Sequence, residues 1–240
     1  MTGRWSWFPF LLALMLALVP LSQPLDPKQD ETRVVISRLP QEFLLMRTVI
    51  HALGCLIGLE KPDTQTTEAE RDCLATYAAG RHRLVEIGVY EGVSTNVLAS
   101  AMSPTGVLYA VDPFIPGRLG ICWSELVARK MALRTRRDIV FVKLLSRNAA
   151  GAIDGDFDMI FIDADHSFDG MRQDWNDWSS RVGPSGIIAL HDTRVPKHNP
   201  EVATFGSYKF FNQHIRDDPR FALVEQVDSL SVLKRHTRGQ

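Results

Sequence analysis

The sequence predicts an α/β fold built on a mostly parallel sheet with helices on both faces. Short, nearly continuous apolar runs alternate with segments of helical periodicity, a pattern typical of parallel strands buried on both faces. The 240 residues are 45% hydrophobic and 23% charged, the composition of an ordinary globular domain. Near the C-terminus, only Asp228 and Ser229 separate two apolar runs, which indicates a hairpin and one antiparallel strand.

The elements follow in a regular order along the chain. Apolar residues recur at helical spacing over 41–59, and Thr67 with Glu70 forms a capping box that opens a second helix ending near Gly80. The predicted strands are 84–88, 107–112, 139–142, 157–163, 186–191, 221–227 and 230–233, and helices are predicted over 93–102, 124–136 and 147–153 and from the fourth strand to about 181. The parallel strands are expected to be joined by right-handed crossovers.

The N-terminal segment differs from the rest of the chain. Residues 5–19 are almost wholly apolar, but this run is shorter than the roughly 20 apolar residues of a membrane-spanning helix, and no A-x-A cleavage site follows it. Three interpretations remain open: an export signal or membrane anchor, an extension packed on the domain or on a partner, and a start codon assigned too far upstream. We divide the chain into this segment with its linker (1–36) and one domain with N-terminal helices (37–240).

Charge and cysteine content narrow the function classes. Lys and Arg total 27 and Asp and Glu total 28, a net charge of −1, so the strongly basic face that nucleic-acid binding needs is not expected. Cys55, Cys73 and Cys122 form no CxxC motif and no disulfide framework, and we expect them to be small buried apolar residues.

Polar residues follow the predicted parallel strands. Ligands of such sheets bind at the carboxyl ends of the strands, where the strand order reverses. The residues at these ends are Glu86 and Gly88, Asp112, Ser146, Asp163 with Asp165 and His166, and His191 with Asp192. A sequence selected only for a packed core would not place polar groups at five strand ends, so we expect a binding site there.

The first strand-to-helix turn favours one nucleoside cofactor over another. A nicotinamide dinucleotide needs a second glycine where Tyr90 stands, and Glu86 and Glu91 would repel its diphosphate. S-adenosylmethionine (SAM) has a ribose whose hydroxyls Asp112 can accept, and a sulfonium and an ammonium that suit nearby acids. The turn therefore predicts SAM as the cofactor.

Several motifs together resemble a known family. They are 85–94 (VEIGVYEGVS), Val111 with Asp112, 157–163 (FDMIFID) and 183–192 (GPSGIIALHD). The region 81–233 resembles the class I SAM-dependent methyltransferases, and most closely the metal-dependent O-methyltransferases that act on sugars, with the actinobacterial methylmannose-polysaccharide enzymes as one possible subgroup. This resemblance implies a Rossmann-like seven-stranded sheet whose last hairpin inserts an antiparallel strand.

The resemblance also implies roles for individual residues. The cofactor would be held by Glu86, Gly88, Ser94, Asp112, Ser146 and Asp163, with Ser146 near the adenine. Asp163 would also bind a metal, and a histidine three residues later, His166, would be the base. His191 stands where the family usually has an acidic ligand, so the metal's identity is in doubt.

Chemistry supports a metal and a base at this place. A sugar hydroxyl is a poor nucleophile whose proton must be removed or weakened. Asp163 and Asp192, at the ends of neighbouring strands, can share a divalent cation, with His191 as a possible third ligand. Oxygen ligands suit Mg²⁺, whereas imidazole favours Mn²⁺, Fe²⁺ or Zn²⁺. His166 is suited to accept a proton near neutral pH.

Other polar and aromatic residues are interpreted more simply. Asp169, Asp174 and Asp177 are expected on a solvated helix face, and Trp175 and Trp178 in the core. The remaining histidines, His51, His82, His198 and His214, show no partner pattern. Loops 113–123 and 193–205 are expected to form the acceptor pocket, the first as a lid.

The sequence thus predicts a SAM-dependent O-methyltransferase that methylates a hydroxyl of a sugar, glycoside or oligosaccharide with a divalent metal, Mg²⁺ being expected, and a histidine base. A catechol-type or acyl-CoA-linked phenol O-methyltransferase is the alternative enzyme, and a nicotinamide dehydrogenase and a non-catalytic SAM-binding module are the other classes considered. Because SAM is made and used in the cytoplasm, we expect a cytoplasmic enzyme without membrane or nucleic-acid partners, with a homodimer possible.

Overall fold

The computed structural model describes residues 41–117 and 119–237, with side chains from Met46 onward. The helices are α1 (Gln41–Ile57), α2 (Glu68–Ala78), α3 (Val93–Ala101), α4 (Trp123–Ala132), α5 (Ser146–Ala152), α6 (Phe168–Trp178) and α7 (Gly206–Phe210), the last continued by a π-helical turn (Phe211–Ile215). The strands are β1 (Arg83–Ile87), β2 (Val107–Val111), β3 (Asp138–Val142), β4 (Phe157–Ile162), β5 (Val182–Leu190), β6 (Phe221–Val227) and β7 (Leu230–Arg235).

The strands form one seven-stranded sheet in the order β3-β2-β1-β4-β5-β7-β6. The first five are parallel to one another, and β7 lies antiparallel between β5 and β6. The predicted Rossmann-like fold, with its antiparallel C-terminal hairpin, is therefore confirmed. The order reverses at β1, whose neighbours are β2 on one side and β4 on the other, which is the place where open α/β sheets bind ligands.

Successive side chains of each strand point to opposite faces of the sheet, so a hydrophobic core forms on each face. Val85 and Ile87 of β1 face the cluster that contains Trp175 and Trp178 of α6, as expected for these tryptophans. Leu84 belongs to the cluster on the opposite face, which is closed by α2 and α3. Since both faces are covered, the parallel strands carry apolar side chains in nearly every position.

Local signals explain where several helices begin. Thr67 accepts a hydrogen bond from the backbone N–H of Glu70, and the Glu70 carboxylate accepts one from Thr67, which completes the predicted capping box. At the start of α6, Ser167 accepts a hydrogen bond from the N–H of Gly170. Helix α7 and its π turn, which lie in the segment after β5, were not predicted, because this short apolar stretch has too few turns to show a periodicity.

The three interpretations of the N-terminal segment, and the domain boundary at residue 36, lie outside the described residues. Within 41–117 and 119–237, every helix is too short or too polar to cross a bilayer.

Candidate active site

A cleft of about 800 Å³ opens at the carboxyl ends of β1, β2 and β4. Six of the predicted site residues line it: Gly88, Ser94, Asp112, Ser146, Asp163 and His166. The cleft therefore lies at the strand ends, where the polar residues in the sequence predicted a binding site. The other three predicted residues lie behind its surface: Glu86 is fully buried beneath the first turn, and His191 and Asp192 are buried behind Asp163 and His166.

The first turn brings the backbone close to the neighbouring strand. Gly88 has a φ of +90°, and a Cβ atom there would lie 2.0 Å from the carbonyl oxygen of Asp163. Only glycine fits this position. Tyr90, where a dinucleotide site would need glycine, also has a positive φ of 52° and remains 49% exposed at the cleft.

Asp112 fixes the same turn from the end of β2. One carboxylate oxygen accepts hydrogen bonds from the backbone N–H groups of Val89 (3.0 Å) and Tyr90 (3.2 Å), and the other accepts one from Phe114 (2.8 Å). A carboxylate has about four lone-pair positions, so Asp112 can hold the turn and still accept from a ligand hydroxyl.

Glu86 was predicted to contact the cofactor, but its side chain lies beneath the first turn and does not line the cleft. Its side chain is 0% exposed, and Oε2 accepts a 2.5 Å hydrogen bond from Thr95. Its Oε1 has no hydrogen-bond partner among the described residues. Burial raises the pKa of Glu86 to about 8, so the carboxyl is mostly neutral at neutral pH. Glu86 therefore supplies little of the negative charge that we expected to repel a diphosphate.

Glu91 also points away from the cleft, toward His51. The negative lining comes instead from other carboxylates. Among the described lining residues are six aspartates and one arginine: Asp63, Asp112, Asp163, Asp165, Asp169, Asp174 and Arg147. A cleft with this charge favours a cationic ligand over a diphosphate. SAM is therefore still the favoured cofactor, although the negative charge comes from residues other than Glu86 and Glu91.

Ser146 begins α5, and its hydroxyl is already engaged. It donates a 2.5 Å hydrogen bond to Asp174 and accepts one of 2.9 Å from the Trp178 indole. Asp174 is 4% exposed and lines the cleft, so the expectation of a solvated position was wrong for this residue. Burial raises the pKa of Asp174 to about 6. A carboxylate on the apolar stripe of α6, beside Met171 and Trp175, was the sequence signal that could have identified it.

Asp163, His166, His191 and Asp192 form one cluster where β4 and β5 end. His166 Nε2 lies 3.4 Å from Asp163 Oδ1, and His166 Nδ1 lies 3.4 Å from Asp192 Oδ2. His191 Nδ1 lies 3.1 Å from Asp163 Oδ1 and 3.6 Å from Asp192 Oδ2. The hydrogen bond to Asp163 raises the pKa of His166. Two carboxylates and two imidazoles thus alternate around a common centre.

Glu70 belongs to this cluster, although the sequence indicated only its capping role. One of its carboxylate oxygens accepts from the backbone N–H (2.8 Å) and the hydroxyl (2.7 Å) of Ser229, and the other lies 3.3 Å from His191 Nε2. Burial acts to raise the pKa of Glu70, but the hydrogen bond and charge of His191 outweigh it and hold the pKa at about 2. The 121-residue separation from His191 explains why sequence patterns could not join the two.

The donor set can hold a divalent metal. Ligand atoms of Asp163, His166 and His191 all lie within 4.8 Å of one another. His191 Nδ1 is buried and makes no hydrogen bond within the described part of the chain, although Asp163 Oδ1 lies 3.1 Å away, while Glu70 contacts the other ring nitrogen. A carboxylate behind a ligating histidine is the usual outer contact at metal sites. Asp192, predicted as a ligand, is outside this group, and two imidazoles suit Mn²⁺, Fe²⁺ or Zn²⁺ better than the Mg²⁺ that we expected.

Comparison with known proteins agrees with the fold. Residues 85–193 match a family model described as a methyltransferase domain. This segment runs from β1 to just beyond β5 and contains nearly all of the strand-end residues described above. The matched segment is thus similar to a methyltransferase domain, and the seven-stranded fold agrees with that match.

Solved structures with the same fold are similar over most of their length. An O-methyltransferase from Bacillus cereus, solved with SAH, is 18% identical with a TM-score of 0.56, covering 78% of this chain and 90% of its own. TomG, an O-methyltransferase from Streptomyces achromogenes involved in tomaymycin synthesis and solved with SAM, is 17% identical with a TM-score of 0.54, covering 79% and 89%. A protein from Corynebacterium glutamicum is 13% identical with a TM-score of 0.58, covering 90% and 100%.

A curated relative, an uncharacterised protein of Sinorhizobium fredii, is 21% identical over 142 residues. The alignment covers 56% of this chain but 15% of that protein, so the matching region is a small part of a much longer chain.

Proposed function

We propose that this protein transfers the methyl group of SAM to a hydroxyl of a sugar, glycoside or oligosaccharide, with His166 as the general base and a divalent metal at Asp163 and His191. One observation carries the proposal. One cleft is lined both by a wall suited to an adenosyl cofactor and by Asp163 and His166, the two partly exposed members of the cluster at the ends of β4 and β5.

The cofactor wall suits SAM in shape and charge. Gly88 lets the backbone of the first turn approach the ligand, and Asp112 at the end of β2 has lone pairs for the ribose hydroxyls. Ser94 and Ser146 both line the cleft, and by the resemblance Ser94 would hold the methionine part of SAM and Ser146 would lie near the adenine. Because the Ser146 hydroxyl is engaged by Asp174 and Trp178, Asp174 is the better candidate to accept from the adenine amino group.

His166 is placed to act as the base. Its side chain is 31% exposed at the cleft, while the two carboxylates that contact its nitrogens are more buried. Asp163 and Asp192 would stabilise the imidazolium formed when His166 takes the acceptor proton. Because the pKa of His166 is raised, turnover is expected to increase with pH as the imidazole becomes neutral. A bound divalent cation supplies charge that lowers the pKa of a ligated hydroxyl.

A sugar hydroxyl as acceptor is supported by this need for a base. Alcohol hydroxyls are far weaker acids than phenols, so a phenol-specific enzyme can depend on its metal alone, whereas a sugar-specific enzyme gains from His166. Phe205, in the segment after β5, stacks on His166 with ring centroids 5.4 Å apart and places an apolar ring beside the base. Aromatic rings in this position can pack against the apolar face of a sugar.

An acceptor screen tests the proposal. Purified protein would be incubated with methyl-labelled SAM and panels of sugars, glycosides and phenols, with EDTA and after addition of Mn²⁺, Zn²⁺ or Mg²⁺. We expect labelled methyl ethers of sugars, loss of turnover in EDTA, and better recovery with Mn²⁺ or Zn²⁺ than with Mg²⁺.

Two variants distinguish loss of the general base from loss of the folded structure. His166→Ala should lose about 10²- to 10⁴-fold in turnover while still binding SAM. His82→Ala, at an exposed position before β1, is the matched control and should retain activity. Full activity of His166→Ala would support the phenol alternative, and SAM binding without turnover on any acceptor would support a non-catalytic binding module.

A further inference from the structure

A second cluster of metal-ligating side chains lies where α1 meets the first turn, apart from the strand-end cluster. His51 and Cys55 lie one helical turn apart on α1, Glu91 belongs to the turn after β1, and Asp63 precedes α2. Ligand atoms of His51, Cys55 and Glu91 all lie within 4.8 Å of one another. The site contains sulfur, nitrogen and oxygen donors, the combination that zinc accepts in proteins.

The spacing matches tetrahedral coordination. With metal–ligand distances of about 2.0–2.1 Å for nitrogen and oxygen and about 2.3 Å for sulfur, a tetrahedron has N–S edges of about 3.6 Å and N–O edges of about 3.4 Å. His51 Nε2 lies 3.5 Å from Cys55 Sγ, 3.0 Å from Glu91 Oε2 and 3.8 Å from Asp63 Oδ2. The two edges from Nε2 to Cys55 and Glu91 thus agree with those of a zinc site to within about 0.4 Å, whereas Asp63 lies outside the group whose ligand atoms are all within 4.8 Å of one another.

An outer contact orients the histidine. Glu60 Oε2 lies 2.7 Å from His51 Nδ1, so Nδ1–H donates to this carboxylate and Nε2 faces Cys55 and Glu91. Burial lowers the pKa of His51, but the hydrogen bonds to Glu91 and Glu60 outweigh it and raise the pKa, so in the metal-free protein Nε2–H donates to Glu91 and a metal would replace that proton. A carboxylate on the second nitrogen is the usual partner of a metal-ligating histidine. The backbone N–H of Asp63 donates a 2.7 Å hydrogen bond to Glu91 Oε2 and fixes that carboxylate as well.

We propose that His51, Cys55 and Glu91, with water in the fourth position, bind Zn²⁺ and join α1 to the turn that forms the cofactor wall. Glu91 follows Tyr90, which lines the cleft, so an ion bound here would restrain that turn without contacting the acceptor. Burial and the neighbouring carboxylates raise the pKa of the Cys55 thiol to about 12 in the metal-free protein. Binding would therefore release the thiol proton, as metals do at cysteine ligands.

Cobalt spectroscopy tests this site separately from the strand-end cluster. The full-length protein would be stripped of metal and titrated with Co²⁺, whose bond to a thiolate gives a charge-transfer absorption band. We expect this band to grow to saturation and to disappear when Zn²⁺ is added. Co²⁺ held in the strand-end cluster by Asp163 and His191 has oxygen and nitrogen ligands only and gives no such band.

Matched variants identify the ligands. Cys55→Ser should lose the band, whereas Cys73→Ser, a buried cysteine on α2, should keep it. Glu60→Gln should keep the band but bind Zn²⁺ about 10- to 100-fold more weakly. Wild-type protein without the band, or Cys55→Ser that retains it, would overturn the proposal.

X-ray absorption at the zinc edge of wild-type protein with two equivalents of Zn²⁺, enough to fill both this site and the strand-end cluster, tests the site without any variant. We expect a sulfur shell at about 2.3 Å together with nitrogen and oxygen at about 2.0–2.1 Å. A coordination shell without sulfur would reject the site.

Discussion

Replacing Glu86 with glutamine should change how the stability of the protein depends on pH. Glu86 is completely buried, and burial raises its pKa to about 8. Glutamine copies the shape of the neutral acid, can accept the same hydrogen bond from Thr95, and never ionises. Wild type and Glu86→Gln should therefore be about equally stable at acidic pH, where Glu86 is neutral in both the folded and the unfolded chain.

The size of the effect follows from the two pKa values. Between the unfolded value of 4.5 and the folded value of about 8, the folded protein holds a proton that the unfolded chain has released. Stability of the wild type should therefore fall as pH rises through this range, by about 1.4 kcal/mol per pH unit. Over the whole interval the loss is about 5 kcal/mol relative to Glu86→Gln, and the difference levels off above about pH 8.

Urea denaturation of both proteins in EDTA, without SAM, at intervals from about pH 5 to about pH 9 measures this difference directly. Glu68→Gln, at an exposed position in the first turn of α2, is the control, and its stability should follow that of the wild type at every pH. A difference between wild type and Glu86→Gln that does not vary with pH would show that Glu86 ionises normally, and the account of its burial would be refuted.

Three further predictions concern the turn and the cluster. Gly88→Ala should unfold more easily and lose SAM binding, because its Cβ would lie 2.0 Å from a carbonyl oxygen; Gly151→Ala, with nothing within 4 Å of its Cβ, is the control, and thermal melting and calorimetry measure both. Asp112→Ala should abolish SAM binding in calorimetry, since three backbone N–H groups lose their acceptor along with the ribose. Glu70→Gln should cost about 3–5 kcal/mol in urea denaturation at neutral pH, because His191 loses a buried ionic partner, and a cost as small as that of exposed Glu68→Gln would contradict the pairing.

The fold was predictable because its signals are local. Periodicity, capping and glycine placement act within a few residues, so the seven strands along the chain and the hairpin agree with the prediction even where helix ends moved by several positions, as in α4. The polar strand ends located the cleft for a similar reason, since parallel strands bring their carboxyl ends to one edge.

Side-chain direction at that edge was not predictable. Glu86 and Asp112 end neighbouring strands, yet one carboxyl is buried and neutral while the other holds three backbone N–H groups. His51 was assigned no role because its partners Glu60 and Glu91 lie 9 and 40 residues away in the chain. Contacts of this kind depend on how loops pack, which no sequence period records.

The pairing of Glu70 with His191 explains how the strand-end cluster tolerates an imidazole where the resemblance predicted a carboxylate. A neutral histidine alone would remove one negative charge from the site. The carboxylate of Glu70, whose pKa is held at about 2, is buried against His191 Nε2 and places a negative charge on the side of the ring away from Asp163. The other ring nitrogen, Nδ1, faces Asp163. Burial lowers the pKa of His191, but the charge of Asp163 and the contacts with Asp163 and Glu70 outweigh it and raise the pKa well above the usual value, so the pair is neutral in the metal-free protein. A metal ion that displaces the proton from Nδ1 would leave the pair with the net charge of one carboxylate and a nitrogen donor. A metal site would keep its charge while its preference moves from Mg²⁺ toward ions that accept imidazole.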